Sequence, residues 1–215
     1  MDLNHKEISN LAVNWLKRVN SQGGHGCKFA VSEMKSGWSG EAPDAIGFRI
    51  ENALVNTIVV EVKVSRSDFL ADRKKPHRSG VEKGLGNWRY YMCPTGLIKP
   101  EDLPPKFGLL YVNKKGHIKS IVSPFITTNT TEREKALERM WFDSDRDREM
   151  FMMANLLARI GDVEKMHKDY KASKKAEFDA LRRLEKASKT NFDYERTINI
   201  LNRKISSLLN KLNRL

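Results

Sequence analysis

Thr57-Ile58-Val59-Val60-Glu61-Val62-Lys63-Val64-Ser65 alternates apolar and charged residues over its second half, and a period of two is the signature of a β-strand. On such a strand Ile58, Val60, Val62 and Val64 point one way, and Glu61 and Lys63 the other. One face is therefore expected to enter a core while the other carries the charges. Seventeen residues before Glu61, Pro43-Asp44 opens the run Ala45-Ile46-Gly47-Phe48. A hairpin through Glu51-Asn52-Ala53 would bring Asp44 beside Glu61.

That layout carries chemistry. Hydrolysis of a phosphodiester requires a hard divalent cation, carboxylates to hold it, and a positive group near the attacking water or the developing charge. Asp44, Glu61 and Lys63 supply those parts. The acid-x-lysine tripeptide alone is weak, because it occurs four times, at Glu33/Lys35, Glu61/Lys63, Asp72/Lys74 and Asp169/Lys171. Asp72 and Asp169 fall in expected helices, where i and i+2 do not share a face, and Glu33 has no Pro-Asp on a preceding strand. By spacing alone, Glu61 and Lys63 also fit a same-face surface pair on an ordinary amphipathic strand, which contributes little to stability.

Working outward, Ile8, Leu11, Ala12, Trp15 and Leu16 recur at helical spacing, so a helix is expected over residues 7–19 with Gly23-Gly24 after it. Short strand-like runs follow at Cys27–Met34, Ala45–Ile50, Thr57–Ser65, Trp88–Cys93, Phe107–Val112 and Ile118–Val122. Ser65 to Lys74 reads as a helix opened by a capping serine and closed before Pro76. The order helix, three strands, helix, further strands gives an α/β or mixed α+β class. Trp88, Tyr90 and Tyr91 belong to one strand, whose alternation would send at most one of the two tyrosines into the core.

The stretch from Gly37 to Phe48, Gly-Trp-Ser-Gly-Glu-Ala-Pro-Asp-Ala-Ile-Gly-Phe, followed by Val60-Glu61-Val62-Lys63-Val64-Ser65-Arg66-Ser67-Asp68-Phe69-Leu70-Ala71-Asp72-Arg73-Lys74, resembles the small bacterial and phage members of the PD-(D/E)XK nuclease superfamily. These include restriction-endonuclease-like DNA-repair proteins. The resemblance covers roughly residues 5–125. It implies a restriction-endonuclease-like mixed sheet flanked by helices, with Asp44 and Glu61 binding Mg²⁺ or Mn²⁺. Lys63 would then orient the nucleophilic water or stabilise the pentavalent transition state. Members often add a glutamate from the first helix, for which Glu7 is the matching candidate, with Glu33 and Glu41 as rival third carboxylates.

Arg73, Lys74, Lys75, His77 and Arg78 form a basic stretch after the second expected helix, a candidate grip for DNA phosphates or else an ordinary solvated loop. The net charge of +12 is divided as +7 over residues 1–125, −1 over 126–161 and +6 over 162–215. A basic balance suits a polyanionic partner. Asp143, Asp145, Asp147 and Glu149 do not make a calcium loop, since Arg148 and Ala154 stand where glycine and glutamate are required. Cys27 and Cys93 lack metal-ligand spacing and read as reduced, buried thiols. No apolar run approaches the roughly 20 residues of a membrane span, and the first residues lack a secretory leader, so a cytoplasmic protein is expected.

Three segments follow from these readings: a nuclease-like domain over 1–125, a helical connector over 126–161, and a long helix over 162–215. In the last, heptad position a reads Val163, Tyr170, Glu177, Leu184, Asn191, Ile198, Ile205, Leu212, and position d reads Met166, Ser173, Ala180, Ala187, Tyr194, Leu201, Leu208, Leu215. Ile at a with Leu at d favours a two-stranded coil, so a homodimer or higher homo-oligomer is expected. A fold-back onto the domain and an antiparallel helical hairpin are the alternatives. The functional expectation is a divalent-metal-dependent nuclease that hydrolyses DNA phosphodiester bonds, an endonuclease acting as a dimer. The competing expectation is a catalytically idle DNA-binding or adaptor protein that keeps the fold and engages a partner through the coil.

Overall fold

The computed structural model describes residues 3–35, 37, 41–72 and 83–212, with the side chains of all of these except 160 and 207–212. The expected hairpin turns at Asn52 and Ala53, whose φ angles are 50° and 61°. Two consecutive left-handed residues give the tight turn whose twist matches right-twisted strands. That turn fixes the pairing of β2 (Ala45–Glu51) with β3 (Leu54–Val62), from Glu51 opposite Leu54 to Ala45 opposite Val60.

All six expected strands form one sheet, in the chain order β1 (Phe29–Ser32), β2, β3, β4 (Trp88–Pro94), β5 (Gly108–Val112) and β6 (Ile118–Val122). The outer pairings β1–β2, β2–β3 and β5–β6 are antiparallel, whereas β3–β4 and β4–β5 are parallel. The class is α/β with a mixed sheet.

Helix α1 (His5–Lys17) lays Ile8, Ala12, Trp15 and Leu16 on one face of the sheet, against Val60, Val62, Tyr90 and Met92. Its close approach depends on Gly47, where an added Cβ would stand 2.7 Å from Cys27 Sγ and 3.2 Å from Leu16 Cβ. The opposite face is covered as well. Val59, Ile46 and Phe48 pack with Met152 of α4 (Arg146–Ile160), and Tyr91 and Leu109 pack with Phe69 of α2 (Arg66–Asp72).

Coverage on both sides corrects two expectations. The face of β3 that carries Glu61 is not a charged surface but a second packed layer, and Tyr90 and Tyr91 are both fully buried, each in a different layer. Parallel central strands are enclosed on both faces because their crossovers lie over the sheet.

The chain forms two compact units, Met1–Leu156 and Leu157–Leu215. The stretch expected as a connector therefore belongs largely to the first unit. Leu137 of α3 (Thr130–Arg139), Met140 and Trp141 pack on the α1 layer, and Met152, Met153 and Leu156 on the other. The buried Glu149 carboxylate anchors α4 by accepting from the Thr57 hydroxyl, from the Gly86 N–H at 3.0 Å and from Arg146 Nη1 at 3.2 Å.

In the second unit α5 (Val163–Leu212) is one continuous helix of 50 residues, about 75 Å at 1.5 Å per residue. Continuity removes the hairpin alternative. Every described side chain of α5 is exposed, including Leu184, Ile198, Leu201 and Ile205. No helix among the described residues is long and apolar enough to cross a membrane.

Candidate functional site

Asp44 immediately precedes β2, so the hairpin register sets it level with Glu61 on β3. Its Oδ2 accepts the Val62 N–H at 2.7 Å, carrying on the interstrand bonding with a side chain where the backbone ladder stops. On its other side the Glu33 N–H donates to the Asp44 carbonyl at 3.3 Å. Beyond Glu61, the Lys63 N–H donates to the Met92 carbonyl at 3.0 Å, which holds Lys63 against β4 after the strand proper has ended. Asp44, Glu61 and Lys63 thus meet at the carboxyl end of β3, the edge at which open α/β sheets bind ligands.

Both Glu61 and Lys63 are deeply buried, at 3% and 4% exposure. A buried ammonium demands compensation, and Lys63 has three carboxylate neighbours. Its Nζ lies 3.9 Å from Glu61 Oε2, 3.7 Å from Asp68 Oδ2 and 3.6 Å from Asp72 Oδ1. Asp72 is itself 1% exposed, and its second oxygen accepts from the Tyr91 hydroxyl at 2.8 Å. Tyr91 sits directly opposite Glu61 in the parallel register. Helix α2 supplies the two aspartates because it begins right after Lys63. The Ser65 hydroxyl accepts the Asp68 N–H at 3.2 Å, which is the capping serine expected from the sequence.

The first helix brings His5, not Glu7, to Asp44. His5 Nε2 lies 3.3 Å from Asp44 Oδ1. Glu7 closes a capping box at the start of α1, its carboxylate accepting from the Asn4 N–H at 2.8 Å while the Asn4 side chain accepts from the Glu7 N–H at 2.9 Å. Glu41 accepts the Leu85 N–H at 2.9 Å. Glu33 carries an exposed side chain on a left-handed backbone, φ 54°. The basic residues Arg73, Lys74, Lys75, His77 and Arg78 lie outside the described residues.

His5, Asp68, Asp72 and Tyr91 are members of the cluster that the sequence reading did not assign. A signal existed for two of them: Asp68 and Asp72 stand four apart on the helix that follows the Lys63 strand, and so share one face. For His5 the signal was the capping pattern Asn4-His5-Lys6-Glu7, which commits the glutamate to its own helix end.

Among the described residues no group of three or more His, Cys, Asp or Glu side chains is arranged to hold a metal ion. Asp44 and Glu61 do provide two hard oxygen donors from adjacent strands. That donor set is compatible with Mg²⁺ or Mn²⁺, because Mg²⁺ commonly uses one or two carboxylates and retains several waters. Cys27 and Cys93 are free and buried, and burial pushes their thiols up to about 12 and about 11, so neither is poised as a nucleophile.

These features define an α/β protein with an acid–lysine cluster at the carboxyl end of a parallel strand pair. No family model matches the chain, and none of the curated proteins does. Among solved structures, a protein of unknown function from Silicibacter pomeroyi is similar at 18% identity, over 75% of this chain and 94% of that one, with a TM-score of 0.41.

Proposed function

We propose that the sheet unit is a divalent-metal-dependent deoxyribonuclease of the PD-(D/E)XK type, with the restriction-endonuclease-like version of the mixed sheet, acting as a dimer through α5. The observation that carries this reading is the placement of Asp44 by the β2–β3 register. Two carboxylates and a lysine from adjoining strands converge at one sheet edge, and Asp44 is locked there by the Val62 N–H.

Asp44 and Glu61 are the residues to hold Mg²⁺ or Mn²⁺, which when bound supplies charge neutralisation and a water of lowered pKa. Lys63 acts on the phosphate. Among the described residues its nearest carboxylate oxygen is 3.6 Å away, beyond normal hydrogen-bonding distance, so these three acids hold its charge in place without engaging its N–H groups. Those donors are available to a non-bridging phosphate oxygen or to the attacking water, and gain strength as negative charge develops. Asp72, oriented by Tyr91, and Asp68 serve as the frame that keeps the ammonium at this position. Dimerisation would place two such sites in one particle.

The test is incubation of the purified chain with plasmid, linear and single-stranded DNA in Mg²⁺ or Mn²⁺, beside Asp44→Ala and Lys63→Ala. The wild type should cut at least one form and both variants should lose at least about a hundredfold in rate, the scale of one electrostatic contributor. Failure of the wild type to cut any form, or equal cutting by the variants, overturns the enzyme reading.

One observation favours the competing reading of a catalytically idle DNA-binding or adaptor protein. Both Asp44 oxygens already have partners in His5 and Val62, and Lys63 is already neutralised by its neighbours. DNA binding without cleavage in the same assay would select it.

A further inference from the structure

The same sheet edge carries a second concavity. A groove of about 470 Å³ opens where the α1 layer reaches the carboxyl ends of β3, β4 and β5. Its volume lies within the roughly 300–1,000 Å³ typical of small-ligand clefts. The floor is apolar, formed by Leu3, Val64, Leu97 and Val112, and Val64 remains 41% exposed although its chain neighbour Lys63 is buried.

The rim has the opposite character, with Thr95, Asn113 and Lys114. The Asn113 carboxamide oxygen accepts the N–H groups of Lys115 at 2.9 Å and His117 at 3.0 Å, which turns the NH₂ end outward as a donor. The Thr95 hydroxyl donates to the Val112 carbonyl at 3.4 Å, so its oxygen is left as an acceptor. Lys114 adds a positive charge beside them.

An apolar floor, one donor and one acceptor at the edge, and an ammonium alongside fit a flat ring with polar edges joined to an anionic chain. We propose that this groove is a nucleobase subsite, taking one unpaired base of a DNA strand next to the phosphate held at Lys63. The assignment rests on the nuclease reading for the identity of that phosphate.

Groove and cluster share the carboxyl edge of the sheet. Val64 follows Lys63 directly, and Leu3 lies two residues before His5, the partner of Asp44. By alternation Val64 faces the α1 layer while Lys63 faces Asp68 and Asp72 of α2, so a strand would cross the sheet edge, its phosphate on one side and its base on the other. A base stacked within a duplex cannot enter a groove of this kind without leaving its partner. The groove thus selects single-stranded, flapped or mismatched DNA, and the interaction is sequence-tolerant because every base presents an apolar face.

Binding can be measured without cleavage, by fluorescence anisotropy of the full chain in EDTA with a short single-stranded oligonucleotide and its duplex. The wild type should prefer the single strand. Val64→Asp, which places a carboxylate on an exposed part of the floor, should weaken single-strand binding about tenfold, equivalent to about 1.4 kcal/mol, and duplex binding less than about twofold. Lys189→Glu on α5 serves as the control for net charge and should affect both forms alike.

Replacing every base of the oligonucleotide by an abasic position requires no variant, and should weaken wild-type binding about tenfold. Equal binding of both DNA forms, a fully abasic strand that binds as the normal one does, or a folded Val64→Asp protein that binds as the wild type does would overturn the subsite. Because every arm is run in EDTA, absence of cleavage in Mg²⁺ overturns the nuclease reading alone. Absence of base dependence overturns the subsite alone.

Discussion

The sheet unit buries charge, and the helical unit exposes apolar surface. In the first, Glu61, Lys63 and Asp72 are withdrawn from water into layers of Phe, Tyr, Val and Leu. In the second, α5 leaves Leu184, Tyr194, Ile198, Leu201 and Ile205 in solvent along 50 residues. Each arrangement is costly when taken alone, and each points to what offsets it. Buried ions are tolerated when they compensate one another. A helix whose Ile and Leu recur with a seven-residue period is stabilised when a second helix covers the seam. The first compensation is present within the chain, whereas the described residues show none for the second.

The contrast can be broken most severely at Lys63. Lys63→Met takes the ammonium from between Glu61 and Asp72, and should cost about 3–5 kcal/mol of folding stability, read from urea unfolding of the full chain. A loss below about 1 kcal/mol would mean that the acids do not depend on the lysine.

The counterpart in α5 is the pair Ile198→Asp and Ile205→Asp. It should convert a dimer to a monomer in sedimentation equilibrium while moving the sheet unit's stability by less than about 0.5 kcal/mol, as expected of surface positions. A wild-type chain that is already monomeric would remove the coiled-coil dimer.

A smaller effect comes from His25, buried among Trp15, Trp88, Tyr90 and Phe125 with its Nε2 2.7 Å from the Tyr90 hydroxyl. Burial, reinforced by Arg49, holds its pKa well below the ordinary 6.5. The unfolded chain therefore takes up a proton that the folded one refuses. This contribution is fully present above pH 6.5 and is lost as the pH falls from there toward the lowered value, by at most about 1.4 kcal/mol per pH unit. Thermal unfolding between pH 7.5 and 5 should show the decline, and His25→Gln should flatten it.

Smallest is the turn. Ala53 sits at φ 61°, a region that disfavours a Cβ, so Ala53→Gly should stabilise by about 0.5–1 kcal/mol, the relief of the left-handed penalty net of glycine's extra unfolded-chain freedom.

Much of this fold is legible locally. Six strands, the hairpin and the capping serine follow from alternation and turn chemistry over a few residues. Asp44, Glu61 and Lys63 come together because register follows from that hairpin. What escapes is whatever distant packing decides. Nothing within Val59–Lys63 announces that Met152, some ninety residues later, will cover Val59, so the charged face reads as a surface. Nor does the Asp72 helix reveal its partner, since testing it against Lys74 asks about the wrong lysine: its ammonium is Lys63, across an element boundary. Glu7 was a different case, because the capping box lay in plain view and its local geometry outweighed the analogy.

The turn at Asn52-Ala53 acts as a length standard for the site. From Glu51–Leu54 to Ala45–Val60 the two strands are paired residue for residue, so Asp44 faces Glu61 only because the loop contains two residues. Inserting a third and letting the pairing slip by one would send Asp44 to the other side of the sheet, leaving every side chain of the cluster intact in composition and the carboxylates divided between two faces. At about 3.4 Å per residue that gauge block lies some seven residues from the chemistry it calibrates. A loop that touches no member of the acid–lysine cluster is thus a part whose tolerance is zero residues.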